Sequence, residues 1–167
     1  MRIRGFEKVS LKQFMKDWIC EDNKKLMEDT YNKLETPKRA TAKSAGNDCF
    51  SPISFKLEPN EEIKLPTGVK AYMQDNEVVE AYPRSGHGFK YYIRLANTVG
   101  IIDADFYNNS NNEGHIWIKL RNEGNKTIEV EQGEAICQFV FKNYLLADGD
   151  SFTGKDRVGG IGSTNKS

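Results

Sequence analysis

The residue best placed to move a proton in this 167-residue chain is Asp103. It ends the run Val99-Gly100-Ile101-Ile102-Asp103, whose apolar residues are interrupted only by a glycine. The carboxylate is therefore expected at the end of a buried hairpin with limited access to water, where it can orient and deprotonate one water molecule. An aspartate that only caps a turn fits the same spacing, and is the commoner reading of it. Pro83-Arg84-Ser85-Gly86 makes a small donor-rich turn in which a guanidinium fork, a hydroxyl and an unobstructed backbone suit phosphate oxygens. The same ingredients recur in Arg157 followed by Gly159-Gly160-Ile161-Gly162-Ser163-Thr164, where consecutive glycines let backbone N–H groups converge on an anion. Asp48, in Ala45-Gly46-Asn47-Asp48, reads as part of an ordinary turn. Gln138 lies mid-strand between Ile136 and Val140, so its amide must be partnered, either by a core carbonyl or by something in a site.

These groups have to be held by strands. Past Pro37 the chain reads as short alternating runs with turn residues about every ten positions, the pattern of an all-β sandwich or barrel. The expected strands are 51–57, 62–65, 69–73, 78–82, 91–95, 115–120, 127–130 and 135–141, with Ile116, Ile118 and Leu120 on one face and His115, Trp117 and Lys119 on the other. Eight such strands predict a jelly-roll-like distorted β-barrel. Residues 1–9 add a short strand. Between Leu11 and Leu34, apolar residues recur at helical spacing with a break near residues 21–23, which predicts an inserted amphipathic helical segment over about 10–35 that packs on the sheet. The division expected is a β domain over 1–147 and a glycine-rich arm over 148–167. The last 19 residues hold five of the 14 glycines, too little apolar surface to order themselves alone.

Composition excludes several functions. Lys plus Arg equals Asp plus Glu at 24 each, so no broad positive field exists to hold a nucleic-acid polymer. No apolar run approaches the roughly 20 residues of a membrane-spanning helix. The start, Met1-Arg2-Ile3-Arg4-Gly5, lacks the apolar stretch of a secretion signal, so a cytoplasmic protein is expected. Cys20, Cys49 and Cys137 form no C-x-x-C pair, which argues against a zinc knuckle or a disulfide framework, and they are expected as buried thiols. His87 and His115 are not candidates for catalysis.

In this order the segments resemble the five motifs of the homotrimeric dUTPase family. The motifs are Ala45 to Ser51, Pro83 to Gly86, Asn97 to Phe106, Gly133 to Phe139 and Arg157 to Thr164, with the similarly familiar Pro37-Lys38-Arg39-Ala40-Thr41 ahead of the first. The resemblance implies hydrolysis of dUTP to dUMP and pyrophosphate by water attacking the α-phosphorus, with Asp103 as the base. It implies that Asn97 and the backbone of Gly100, Ile101 and Ile102 read the uracil edge, and that Phe106 packs on the deoxyribose where a 2′-hydroxyl would have no room. Arg84, Ser85, Gly86 and Gln138 would meet the phosphates. Arg157 with Ile161, Gly162, Ser163 and Thr164 would fold over the γ-phosphate and base. Mg²⁺ would be held chiefly by phosphates and water, with Asp48 as an indirect partner through water. A homotrimer with sites shared between subunits is implied, the arm closing over a neighbour's site.

Departures from the family pattern are few. Ile161 stands where an aromatic side chain is usual and can cover a base only by apolar contact. Phe106 stands where tyrosine is usual, Asn47 where an aromatic is more common, and His87 where an apolar residue is more common. The fifth motif is one residue shorter between Arg157 and the paired glycines. The helical insertion and the asparagine-rich loop 107–114 lie outside the common pattern; the loop is expected as solvated surface at the rim of the site. The alternatives weighed are a dCTP deaminase-type enzyme of the same superfamily, disfavoured by the intact Asn97 to Asp105 segment, and a regulatory binding protein on the same fold. Deleting residues 154–167 should cut dUTP turnover sharply in a steady-state assay; unchanged kinetics would remove the arm from the site.

Overall fold

The computed structural model describes residues 2–152 together with Gly154 and Gly160. Twelve strands form four antiparallel sheets among the described residues. β1 (Gly5–Lys8) pairs with β6 (Val69–Tyr72); β10 (Trp117–Asn122) lies between β5 (Glu62–Pro66) and β8 (Ile93–Leu95); β4 (Phe55–Leu57) pairs with β11 (Ile128–Val130). The largest sheet runs β2 (Lys38–Arg39), β3 (Asn47–Phe50), β12 (Ala135–Asn143), β7 (Glu77–Pro83) and β9 (Gly100–Asp103). The sheets close on one apolar core in which Leu65, Val79, Ala81, Ile136, Cys137 and Phe139 have no exposed surface. This is the jelly-roll-like barrel expected, with Ile116, Ile118 and Leu120 inward as their alternation required.

Several expectations are corrected. Asn47–Phe50 is strand rather than turn, because the β2 and β12 backbones pair it on both sides. Ser51 to Ile53 turns away, with the Ser51 hydroxyl donating to the Ile53 carbonyl at 2.6 Å, so only Phe55–Leu57 of the 51–57 run is strand. Ser85–Tyr91 forms a helix, α3, which the two glycines in Ser85-Gly86-His87-Gly88 conceal in the sequence; Tyr92 ends it in a left-handed conformation at φ 55°. Of the three thiols only Cys49 and Cys137 are buried, and Cys20 is exposed. No helix is long and apolar enough to cross a membrane among the described residues.

The insertion folds as two helices, α1 (Leu11–Lys16) and α2 (Lys24–Lys33). Ser10 and Asn23 cap them by accepting the amides of Gln13 and Leu26, which satisfies donors that a helix start leaves orphaned. Between the helices Val9, Phe14 and Leu34 form a satellite core flanked by Trp18 and Tyr31. A buried polar contact then fastens α1 to the barrel. The Gly68 amide donates to His115 Nε2 at 2.8 Å, which leaves the imidazole proton on Nδ1 to donate to Asp17 Oδ2 at 2.6 Å. Gln13 donates to the same oxygen at 2.7 Å. His115 is wholly buried, although the alternation places it on the face opposite Ile116, Ile118 and Leu120, because Asp17 at the end of α1 meets it there.

Burial would raise the Asp17 carboxyl above its ordinary value, but the hydrogen bonds from His115 and Gln13 outweigh it and hold it lower. A depressed folded-state value stabilises the fold fully above the ordinary aspartate range, and that contribution disappears as pH falls through the folded value. Asp17→Asn should therefore destabilise the protein by about 1–3 kcal/mol at pH 7, and the gap from the parent should close below about pH 4; urea unfolding at the two pH values measures it.

Candidate functional site

The residues singled out by their chemistry gather in two places. The first lies where β3, β12 and the end of β7 run side by side, with Asp48, Gln138 and Tyr82 in one row across three strands. Arg84, just past β7, reaches back to Asp48: Nε is 3.3 Å from Oδ1 and Nη2 donates to Oδ2 at 3.4 Å. These are long contacts, and the arginine side chain is 40% exposed. A pair of this kind contributes about 0–1 kcal/mol, so a bidentate phosphate partner can displace it. Ser85 and Gly86 are exposed beside it, and a Cβ placed on Gly86 would meet nothing within 4 Å, which leaves its backbone open to a ligand.

Gln138 resolves the alternatives left open for it by doing one thing and permitting another. Its Nε2 donates to the Pro83 carbonyl at 3.1 Å, fixing the strand end that carries Arg84. Its Oε1 occupies the space where any side chain at position 46 would begin. A side chain at position 46 would have to displace that amide end, a contact that spacing alone could not show. His87 is half-buried with Nδ1 unpartnered. Burial, and then the Arg84 charge, lower its basicity.

The second place is a cleft of about 840 Å³ beside β9. Gly100 stands opposite Ala81 across the β7–β9 ladder. A Cβ on Gly100 would come within 3.0 Å of Ala81 Cβ and 3.7 Å of Asn97 Nδ2, so two small residues in register make a flat-bottomed hollow with the Asn97 amide over it. Ile102 and Phe106 line the same hollow. Ile101 also lines the cleft and is 57% exposed. Asp103 ends the strand, partly buried, and a single 3-10 turn, Ala104–Phe106, carries the chain from it to the Phe106 ring. The expected hairpin is a crossover instead, because β8 pairs with β10 while β9 pairs with β7. Gly160 is seated against the Phe106 ring, where an added Cβ would lie 2.9 Å from Cε2. Arg157, Ile161, Gly162, Ser163 and Thr164 lie outside the described residues.

Asn111 and Asn112 line the cleft from the loop 107–114, as expected of a rim, whereas Ala81 and the walls from Lys16, Asp17 and Trp117 escaped the sequence reading. The signal for Ala81 was its size: in Val78-Val79-Glu80-Ala81-Tyr82 it is the one small side chain. The walls from α1 had no local signal, because they reach the cleft through long-range contacts, Asp17 to His115 and Lys16 to the Asn111 carbonyl.

The two places do not coincide in one chain. From the register, Asp48 and Asp103 are three strands and four residues apart, roughly 19 Å at standard strand spacings. No cluster of three or more His, Cys, Asp or Glu suitable for a metal occurs among the described residues. A base-sized hollow and a separate cationic turn on an antiparallel barrel define a protein that handles nucleotides.

The comparisons make that specific. The family model described as dUTPase matches residues 32–164. The deoxyuridine 5′-triphosphate nucleotidohydrolase of Lactococcus lactis subsp. lactis (strain IL1403) is 44% identical over 132 residues, covering 78% of this chain and 88% of the relative. That of Haemophilus influenzae (strain PittEE) is 37% identical over 120 residues, covering 70% and 76%. The crystal structure of dUTPase from Streptococcus mutans superposes with a TM-score of 0.66 at 37% identity, covering 87% of this chain and 99% of that one. A mutant dUTPase of phage phi11 of S. aureus, whose structure coordinates a structural Mg(II) ion, shares the fold at 20% identity and a TM-score of 0.58, covering 72% of this chain and 90% of that one. The chain belongs to the dUTPase family. It is a dUTP diphosphatase, which hydrolyses dUTP to dUMP.

Gly46→Ala should push the Gln138 amide from its place, loosening the Pro83 carbonyl and Arg84 with it. The expected result is a fall of about tenfold or more in kcat/KM for dUTP, with the melting temperature little changed. Wild-type kinetics would show that Gln138 has slack.

Proposed function

We propose that Asp103 is the general base of dUTP hydrolysis and that a complete site forms only between copies of the chain. The observation that carries the proposal is the separation of roughly 19 Å between the Asp48–Arg84–Gln138 cluster and Asp103, at standard strand spacings. The phosphate-facing groups and the base-facing hollow are each built, but on different parts of the sheet, so one copy's hollow needs another copy's cationic turn. A homotrimer with sites shared between subunits satisfies this.

In that arrangement the uracil enters the hollow over Gly100 and Ala81, with its edge against Asn97 and the β9 backbone. Ile102 and Phe106 exclude water from the base and sugar. Asp103 holds a water for attack on the α-phosphorus and takes its proton. Arg84, Ser85 and Gly86 receive the phosphate oxygens, and Gln138 holds the strand end from which they project. Most of the rate comes from such positioning and charge neutralisation, since phosphoryl transfer asks little covalent chemistry of a protein. The arm, with Arg157 and the segment from Ile161 to Thr164, is proposed to close the site; the seat of Gly160 on the Phe106 ring supports this.

Mg²⁺ fits the donor set as an ion carried by the triphosphate. One carboxylate, Asp48, faces the phosphate turn, and Mg²⁺ typically takes one or two carboxylates with substrate phosphates and water. Asp48 would hold it through water, and the ion when bound spreads negative charge on the phosphates. We also place the reaction in the cytoplasm, since the facing free thiols of Cys49 and Cys137 suit a reducing compartment.

Asp103→Asn should lower kcat for dUTP by a factor on the order of 10³ while the dissociation constant for dUTP changes little; a near-normal rate would remove Asp103 from the base role. Arg84→Ala should also be inactive. Co-refolding the two inactive variants should restore activity, because mixed assemblies contain sites with both residues intact. A mixture as inactive as its parts would refute sharing between copies.

A further inference from the structure

The loop 107–114 keeps Asn108, Ser110 and Asn111 at the surface, as expected, but it is tied by a hydrogen-bonded knot with Asn109 at its centre. Asn109 is 7% exposed and uses every polar atom of its side chain. Nδ2 donates to the Phe106 carbonyl at 2.8 Å and to Asn112 Oδ1 at 2.8 Å, while Oδ1 accepts the amides of Asn111 and Asn112 at 3.1 Å each. The backbone closes the knot with Asn108 N to Glu113 O at 3.0 Å and Glu113 N to Asn109 O at 3.0 Å. Asn108, Glu113 and Gly114 take positive φ to do so. Gly114 at φ 81° sits so close beneath the Phe106 carbonyl that a Cβ there would be 2.6 Å from its oxygen.

The knot is anchored from outside by the insertion. The Ser10 amide and hydroxyl donate to the Glu113 carboxylate at 2.9 and 2.6 Å, and Lys16 Nζ donates to the Asn111 carbonyl at 3.2 Å. The 3-10 turn that joins Asp103 to Phe106 closes on the bond from Tyr107 N to Ala104 O at 3.4 Å. The Phe106 ring packs against the barrel core, and its carbonyl is gripped by the Asn109 amide at 2.8 Å, which ties the backbone that carries the ring to the loop.

We infer that Asn109 is a positioning residue for sugar selection, holding the Phe106 ring at the height over the cleft that leaves no room for a 2′-hydroxyl. This rests on the reading that Phe106 packs on the deoxyribose. It also gives the helical insertion a purpose, since α1 braces the loop that braces the ring. Rejection of one hydroxyl depends on tenths of an ångström, so a ring free to shift admits it.

Asn109→Asp isolates the donor. The acceptor side is kept, but the new oxygen faces the Phe106 carbonyl and Asn112 Oδ1, and Asn112 cannot flip without losing the Gly114 amide that it accepts at 3.1 Å. The assay is kcat/KM for dUTP and for UTP in the full-length enzyme with Mg²⁺, beside Phe106→Ala and thermal unfolding of each variant. Asn109→Asp is expected to lower the dUTP-to-UTP ratio by about tenfold, through a higher KM for dUTP and a gain on UTP with kcat for dUTP nearly kept. Asn109→Ser, which keeps one donor and adds no charge, gives the same readout to a smaller extent should the aspartate variant not fold. A ratio unchanged in both variants, or equal losses on both substrates, would overturn the inference and leave Asn109 a loop-stabilising residue. If Phe106→Ala itself fails to relax the ratio, the sugar-packing role of Phe106 falls first, and the role of Asn109 with it.

Discussion

Strand β12 is hydrogen-bonded along both edges, and its register is the constraint on which the rest of the molecule depends. Gln138 faces Asp48 on one side and Tyr82 on the other, and seven consecutive pairs lock β12 to β7. Because side chains alternate with period two, a slip of one residue would send Phe139 to the surface and Gln138 into the core. The register persists because Cys137 and Phe139 are wholly buried and Phe6 stacks on Phe139 with ring centroids 5.6 Å apart. Apolar burial on one face thereby decides where Asp48 and the Arg84 that reaches it stand on the other. Through β7 the same register places Ala81 under Gly100, so the floor of the base hollow is a second result of one packing arrangement.

A second line of support runs from the insertion to the cleft. The Gly68 amide donates to Nε2 of His115, and Asp17 meets Nδ1 from α1. Buried polar groups that are fully partnered specify one arrangement, since every alternative leaves a donor or acceptor unpaired. The same logic governs the asparagine knot, where the amide of Asn109 has no vacant position. Thus a helical segment far from the phosphate turn in sequence becomes a wall of the site, and the satellite core of Val9, Phe14 and Leu34 keeps it there.

Much of this was legible beforehand where the pattern is local. The alternation of 115–120, the break between α1 and α2, and the donor-rich turn at Arg84 follow from periodicity and side-chain chemistry, and the five segments in order identify the family. Other features were misread for definite reasons. Asn47-Asp48 carries turn-forming residues, yet pairing from both neighbours makes it strand. The glycines of α3 argue against helix, and in the run of asparagines over 107–114 composition does not reveal that Asn109 turns inward.

The amino-acid order by itself determined the kinds of chemistry present, the all-antiparallel character of the fold and the membership of the family, because these depend on side-chain type and on spacing within a few residues. Tertiary structure alone decided that Asp48 and Asp103 stand apart within one chain, that Gly46 lies against the Gln138 amide, and that Asp17 meets His115 across 98 positions. Those relations depend on which strands pair and how far each face is buried. That choice is made by the free energy of the whole core, which no short stretch of sequence contains.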